Sequence, residues 1–473
     1  MKTFEGKIIL AGYGAIGRSL HSILEREIDI NHDNFYVLDA KDDNIEEYIA
    51  LGGKRENYII ETFDKDNYPE ILSRHLNEGD LLIDLLANVG TGDMMAWCAR
   101  NNVMYINSGD SCWPCGDWAT IHSHFLDRTK KQYEISKIPG TKKFPILLHS
   151  GANPGAVSIF AKMAVRHAAQ TQMADDKAAQ KLSKESKWAE LAQHMGIKMI
   201  QIADLDTQDA KIKDRCKDTL YNTWSPQTLF EESMTQTESI IGTHERLLPN
   251  YEFFCEKDRF LIHEKIAQEE KCRSWAPAGN FIGSVVPHDE INTISKLFTI
   301  NSKKGTHEGF PHGRAIKKPC YCPTVIFVYR PSPIAYEYMN RARDERIEAP
   351  KKTKVMYEEL TGIGTEYVGV MIFGEKINPV WVGNAVSLKD AQKFGMQNTP
   401  TILQVSSGVL AGIVWLMKHR DVGGIFYPED VDMDEYNEIM EKYMGETIIE
   451  EVAREEINAP IQWDDIQYWQ FQV

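Results

Sequence analysis

The residues of this sequence that could do chemistry together are a glycine-spaced turn, a set of acids, an indole and a histidine. The turn is Gly12-Tyr13-Gly14-Ala15-Ile16-Gly17. Gly12 permits a tight bend, Gly14 lets a pyrophosphate approach the backbone, and Gly17 lets a helix pack close to its strand. Asp39, further along, offers a carboxylate that can accept hydrogen bonds from ribose hydroxyls and would repel a 2′-phosphate. The acids Asp204, Asp206, Glu231, Glu232 and Glu238 bracket Trp224. A protonated amine held away from water needs carboxylates, and an indole face adds about 0.5–2 kcal/mol of cation–π attraction. His288, in Pro-His-Asp, titrates near neutrality and suits acid–base work. Each also has a plainer reading: a core Trp, a solvated Glu pair on a helix face, a structural His.

A glycine motif means little without a strand before it and a helix after it. Residues 8–11 form a short apolar run that reads as a buried strand. Ile16, Leu20, Ile23 and Leu24 then fall at helical spacing over 15–25. A second strand over 35–38 ends at Asp39. The alternation continues with helices over 45–51, 68–76 and 94–101 and strands over 58–63, 81–86, 103–106 and 144–149. This is the pattern of a doubly wound parallel sheet, an α/β fold of Rossmann type, whose ligands sit at the carboxyl ends of the strands. Ala87-Asn88-Val89, the stretch 107–113 and Gly151-Ala152-Asn153-Pro154-Gly155 should gather there. Asn153 is either a turn former or a ligand-facing residue.

From about residue 174 the composition shifts. A charged helix over 175–192 leads to an alternating run over 197–205, then to apolar runs over 281–286, 297–300 and 324–329. These predict a second, inserted α+β domain with a mixed sheet. A helix over 401–419 should return to the first domain, and the acidic stretch 428–456 reads as solvated helices. The expected division is 1–152 with 395–473 for dinucleotide binding and 153–394 for substrate binding and dimerisation.

The chain has 473 residues and a net charge of −16, which argues against nucleic acid as a partner. Eight dispersed cysteines suit a reducing, cytoplasmic setting. Cys112-Trp-Pro-Cys115 has no second pair at zinc-ribbon distance, so no metal is expected. The apolar segment 402–417 contains Gln404, Ser406 and Ser407 and falls short of a membrane span.

Several strings occur together: Gly-Tyr-Gly-Ala-Ile-Gly, His149-Ser-Gly-Ala-Asn-Pro-Gly155, Asp206-Thr-Gln208, Asn222-Thr-Trp-Ser225, Gly242-Thr-His-Glu245 and Pro323-Thr-Val-Ile-Phe-Val-Tyr-Arg-Pro331. In this order they resemble the bacterial homospermidine synthases, within the wider saccharopine-dehydrogenase-like group. The resemblance spans nearly the full length. It implies a Rossmann domain completed by C-terminal helices, an inserted domain supporting a homodimer, and a reaction. Two putrescines become homospermidine, ammonia leaves, and NAD is recycled as a bound hydride carrier. By the matching positions, Trp224 would face the cation, Glu232 and Asp204 would bind ammonium groups, and His288 would lie near the reacting centre. Asn153 would sit beside nicotinamide and amine, and Glu366 matches an acid of the family. Where the family tends to show an acid followed by Pro and Trp, this chain reads Asp110-Ser-Cys-Trp113, and Asp110 would take that acid's place. The rival reading is a saccharopine-type oxidoreductase joining an amine to a keto acid, with Arg246, Arg273 or Arg314 clamping a carboxylate.

Overall fold

The computed structural model describes residues 4–111, 113, 137–301, 319–395 and 397–473. Two units emerge: Met1–Ala156 with Lys389–Gly445, and Val157–Leu388 with Glu446–Val473.

In the first unit, six strands come in chain order: β1 (Ile8–Ala11), β2 (Phe35–Asp39), β3 (Tyr58–Ile60), β4 (Leu81–Asp84), β5 (Met104–Asn107) and β6 (Pro145–Leu147). With Gly424–Phe426 they make a seven-stranded sheet in the order Gly424–Phe426, β6, β5, β4, β1, β2, β3. Every pair is parallel. The strand order reverses between β1 and β4, and in such sheets the ligand crevice opens there. β1, β4 and β5 are buried throughout, which explains their unbroken apolar runs. The helix Pro400–Lys418 is long and apolar enough to cross a membrane, yet it lies mostly buried within this unit. Thr399 caps it by accepting the Ile402 N–H at 3.2 Å. Its small residues allow close approach: a Cβ on Gly408 would stand 2.0 Å from the Gly151 carbonyl oxygen, and the Ser406 and Ser19 hydroxyls meet at 2.7 Å.

The second unit is built on a ten-stranded mixed sheet. Its central strand, Ile197–Asp206, runs parallel to Thr324–Arg330 and antiparallel to Thr365–Gly374. Side chains alternate faces along a strand, and the sequence uses that alternation to divide the sheet. Met199, Ala203, Leu205, Ile326, Val328, Met371 and Phe373 share one face, and Val452, Ile457, Ile466, Tyr468 and Phe471 of the C-terminal segment pack over it. The register pairs Asp204 with Tyr329 and Val368, and Asp206 with Glu366, on the other face.

Four expectations change. The helix over 175–192 is two helices, Lys177–Lys184 and Trp188–Met195, separated where Ser186 adopts a left-handed φ of 51°. The run 297–300 is not a strand of the sheet; it ends the helix Glu290–Leu297, whose Ile291 and Ile294 are buried, and leads into a two-residue strand. The acidic stretch 428–456 is not solvated throughout: Met433–Met444 buries Tyr436, Ile439, Met440 and Tyr443, and Ile448–Glu451 adds a strand to the second sheet. The division expected at 395–473 shifts accordingly, since Glu446–Val473 belongs to the second unit.

The Gly-Thr-His-Glu string explains how that tail is held. The Glu245 carboxylate, wholly buried, accepts the Thr324 hydroxyl at 2.6 Å and the Tyr468 N–H at 3.0 Å. Gln467 donates to the His244 carbonyl and accepts the Arg246 N–H. Glu245→Ala would strand these buried donors, so we expect a loss of about 2–4 kcal/mol. Urea unfolding with limited proteolysis of residues 446–473 checks this; unchanged stability and protection would remove Glu245 from the anchor.

Candidate active site

In the first unit, the glycine turn follows β1 directly. Gly12 has φ +92°, and a Cβ there would stand 2.7 Å from the Leu85 carbonyl oxygen. A Cβ on Gly17 would stand 2.2 Å from the Gly12 carbonyl, so this glycine is fixed by helix–strand packing. Gly14 differs: a Cβ would meet nothing within 4 Å. Gly14 begins the helix Ala15–Glu27 with no side-chain cap, leaving an exposed turn at a positive dipole end. That open cradle suits a pyrophosphate. Ala15 and Ile16 are half-buried beside it.

Asp39 ends β2 and turns its carboxylate to this turn, accepting the Tyr13 N–H at 2.6 Å and the Lys41 N–H at 3.1 Å. The Tyr13 side chain does not face the cradle. It is fully buried, bonds His21 at 2.7 Å and packs edge-on against Tyr48 and Tyr58. Its share in the site is therefore its backbone, because the hydroxyl is spent in the core. Ala87 and Asn88 lie exposed just past β4, Asn88 with a left-handed φ of 61°. Asn153 is half-exposed in the loop that the Gly151 N–H closes onto the Pro154 carbonyl at 2.9 Å. Pro154 is buried behind it.

Asp110 faces a partner that the sequence reading missed. Its carboxylate lies 3.1 Å from the His149 ring, both side chains nearly buried. Asn107 ties the pair to the sheet, donating to the Gly109 carbonyl and accepting the His149 N–H at 2.9 Å. Cys112 and Cys115 lie outside the described residues, as does Arg314.

In the second unit, Asp204, Asp206 and Glu366 are buried together on one sheet face. Asp206 accepts the Gln208 N–H and the Thr223 hydroxyl at 2.8 Å each. Gln208 in turn donates to Glu366 at 3.1 Å. Burial pushes the Asp206 carboxyl up to about 6, against those hydrogen bonds. Trp224 donates its indole N–H to the Tyr329 hydroxyl at 2.9 Å. Burial first, then the Asp204, Glu366 and Asp206 carboxylates, keep Tyr329 a neutral phenol. From Trp224 an aromatic row runs through Tyr329 and Phe327, whose centroids are 5.9 Å apart, to His288, 4.7 Å from Phe327.

At the far end of that row stands a second group of acids. His288 bonds Glu290 through Nδ1, and its Nε2 is 3.9 Å from Glu232. Burial disfavours the imidazolium, but Glu290, then Glu232 and Asp289, outweigh it and lift His288 to about 9. Burial raises Glu232 to about 7 despite His288. The arrangement can hold cations by charge and indole face, and exchange a proton at neutral pH. Of the other expected acids, Glu231 is spent on its own helix, accepting from Gln227 at 2.8 Å, while Glu238 is buried on the sheet. The sequence carries no signal for Tyr329, and for Glu290 only its place two residues after His288.

The raised His288 value makes a prediction. Its protonation contributes stability that is full below about 6.5 and is lost as pH rises through about 9. Glu290→Gln should lower the His288 titration more than Glu232→Gln does. Histidine NMR titration of both variants decides; an equal or reversed order would sink the assignment of Glu290 as main partner.

A family described as the saccharopine dehydrogenase NADP-binding domain matches residues 8–135. The homospermidine synthase of Mesorhizobium japonicum is 29% identical over 454 residues, covering 93% of this chain and 89% of that protein. That of Blastochloris viridis is 26% identical over 462 residues, covering 94% and 91%. The crystal structure of homospermidine synthase from Legionella pneumophila in complex with NAD superposes with a TM-score of 0.83 at 23% identity, covering 100% of this chain and 98% of that one. Over nearly its whole length, this chain is similar in sequence to homospermidine synthases and shares the fold of one of them.

Proposed function

We propose that this protein is a homospermidine synthase, transferring an aminobutyl group from one putrescine to another with release of ammonia. The observation that carries the reading is the aromatic row from Trp224 to His288 with buried acids at both ends. A diamine is a dication at neutral pH, each nitrogen titrating near 10 like lysine. Burying an ammonium unpaired would cost several kcal/mol, so a site for it needs carboxylates at more than one point. Asp204, Glu366 and Glu232 fill that requirement, and Trp224 faces the chain between.

The amine to be oxidised must first lose a proton. Glu232, near 7, and His288, near 9, are the groups suited to move it. NAD, when bound, supplies the hydride acceptor and returns the hydride to the product imine. Gly12, Gly14 and Gly17 would hold its pyrophosphate, Asp39 its ribose, and Ala87, Asn88, Asn153 and Pro154 would line its approach. Asp110, tied to His149, would take the place of the acid that the family shows before Pro and Trp. We assign the protein to the cytoplasm as a homodimer formed through the second domain, with no membrane or nucleic acid among its partners. Two of the clamps expected for the rival reading are engaged elsewhere: Arg246 pairs with Asp465, and Arg273 donates to the Gln472 carbonyl.

Incubation with putrescine and substoichiometric NAD should yield homospermidine and ammonia over many turnovers without net NADH. Consumption of nucleotide in step with product would instead mark a net oxidoreductase.

The family description names NADP, whereas a carboxylate at Asp39 would repel a 2′-phosphate. We expect NAD to bind at least about tenfold tighter than NADP, roughly 1.4 kcal/mol. Asp39→Ala should narrow that gap. Dissociation constants by titration check it, and equal affinities in the unaltered protein would remove Asp39 from this role.

A further inference from the structure

We infer that Lys271 and Arg330, in the second unit, form a binding site for a phosphoryl group. Lys271 opens the strand Lys271–Ala276, where the register pairs it with Ser284, which in turn pairs with Tyr329. Arg330 ends the strand Thr324–Arg330, which lies on the far side of the strand carrying Ser284. Both cations stack on one ring: the Lys271 ammonium is 5.1 Å and the Arg330 guanidinium 4.6 Å from the centroid of Tyr336. Two like charges sharing a tyrosine repel each other, and neither has a carboxylate within 4 Å among the described residues. The nearest acid in sequence, Glu270, is turned to the opposite face, where it accepts the Tyr468 hydroxyl at 2.9 Å. Arg343, from the helix Pro333–Glu345, adds a third charge nearby, but Asp344 neutralises it at 2.8 Å.

The donors are also under-used. Among the described residues, Lys271 spends one N–H on the Ser284 hydroxyl at 2.6 Å, and Arg330 makes one long bond, 3.4 Å, to the Ile282 carbonyl. The Ser284 hydroxyl donates to the Gln268 side-chain oxygen at 3.0 Å, and the Gln268 amide donates to Asn340 at 2.9 Å, so the floor of the site is fixed. Both cations remain partly exposed and reachable. Burial, then Arg343 and Arg330, push the Lys271 ammonium down to about 7, a cost that a bound anion would relieve. With Lys271 protonated, as a bound anion would favour, two positive charges and the N–H groups left unspent among the described residues match a phosphoryl dianion better than a carboxylate, which carries one charge. This site lies outside the amine chemistry proposed above and does not depend on it.

The test is calorimetric titration of the full-length protein with inorganic phosphate at neutral pH, beside Lys271→Met and Arg330→Gln. Saturable binding is expected in the unaltered protein, weakened at least about tenfold in each variant. Thermal melts without phosphate check folding. Should Lys271→Met fail to fold, Arg330→Gln decides, since that side chain makes a single weak bond. Glycerol phosphate run in parallel separates sources: tighter binding of the ester points to a phosphorylated metabolite, equal binding to the free ion. No binding, binding unchanged in the variants, or acetate bound as tightly as phosphate would overturn the inference.

Discussion

Alternation along one strand governs the second unit. Ile197–Asp206 must place apolar side chains on one face and carboxylates on the other, because the period of a strand is two residues. A slip of one residue would send Asp204 and Asp206 under the C-terminal segment and Ala203 and Leu205 to the opposite face. The register is held from both sides, by parallel pairing to Thr324–Arg330 and antiparallel pairing to Thr365–Gly374. The cover of Tyr468 and Phe471 on the apolar face, anchored by Glu245, therefore also secures the position of the acids.

The acids raise an electrostatic cost that the surrounding chemistry answers unevenly. Asp206 receives two hydrogen bonds and still sits near 6. Glu232 has a cationic neighbour in His288 and still sits near 7. In both, desolvation outweighs local support, so the folded chain carries carboxylates that an arriving cation would stabilise. Raised carboxyl values of this kind, caused by burial, cluster where recognition depends on charge.

How much of this the sequence discloses depends on where the signal is local. Gly12, Gly14, Gly17 and Asp39 are readable because a strand, a turn and a helix are contiguous, and the parallel sheet follows from repeated alternation. Trp224, Glu232 and His288 are visible as residue types, but their convergence is not, since Phe327 and Tyr329, which join them, read only as an apolar strand. The tail misleads for a physical reason. Ile448–Glu451 is half acidic and exposed, as an edge strand tends to be, so its charge hides its pairing. Tyr13 misleads in the other direction, a core residue lodged inside a binding motif.

Net charge is the coarsest of these signals, and the second unit shows why. A chain with sixteen excess negative charges suits cationic ligands on average, yet Lys271 and Arg330 stack on Tyr336 in the same sheet that carries Asp204. Screening limits each charge to its neighbourhood, about 8–10 Å at ordinary ionic strength. The register separates Lys271 from Asp204 by three strand spacings, Lys271 to Ser284 to Tyr329 to Asp204, which at about 4.8 Å per strand is roughly 14 Å. Arg330 is only one strand away, paired with Leu205, but alternation sets it with Ile326 and Val328 on the face opposite Asp204. Distance for Lys271 and the sheet itself for Arg330 let acid and base act on different ligands.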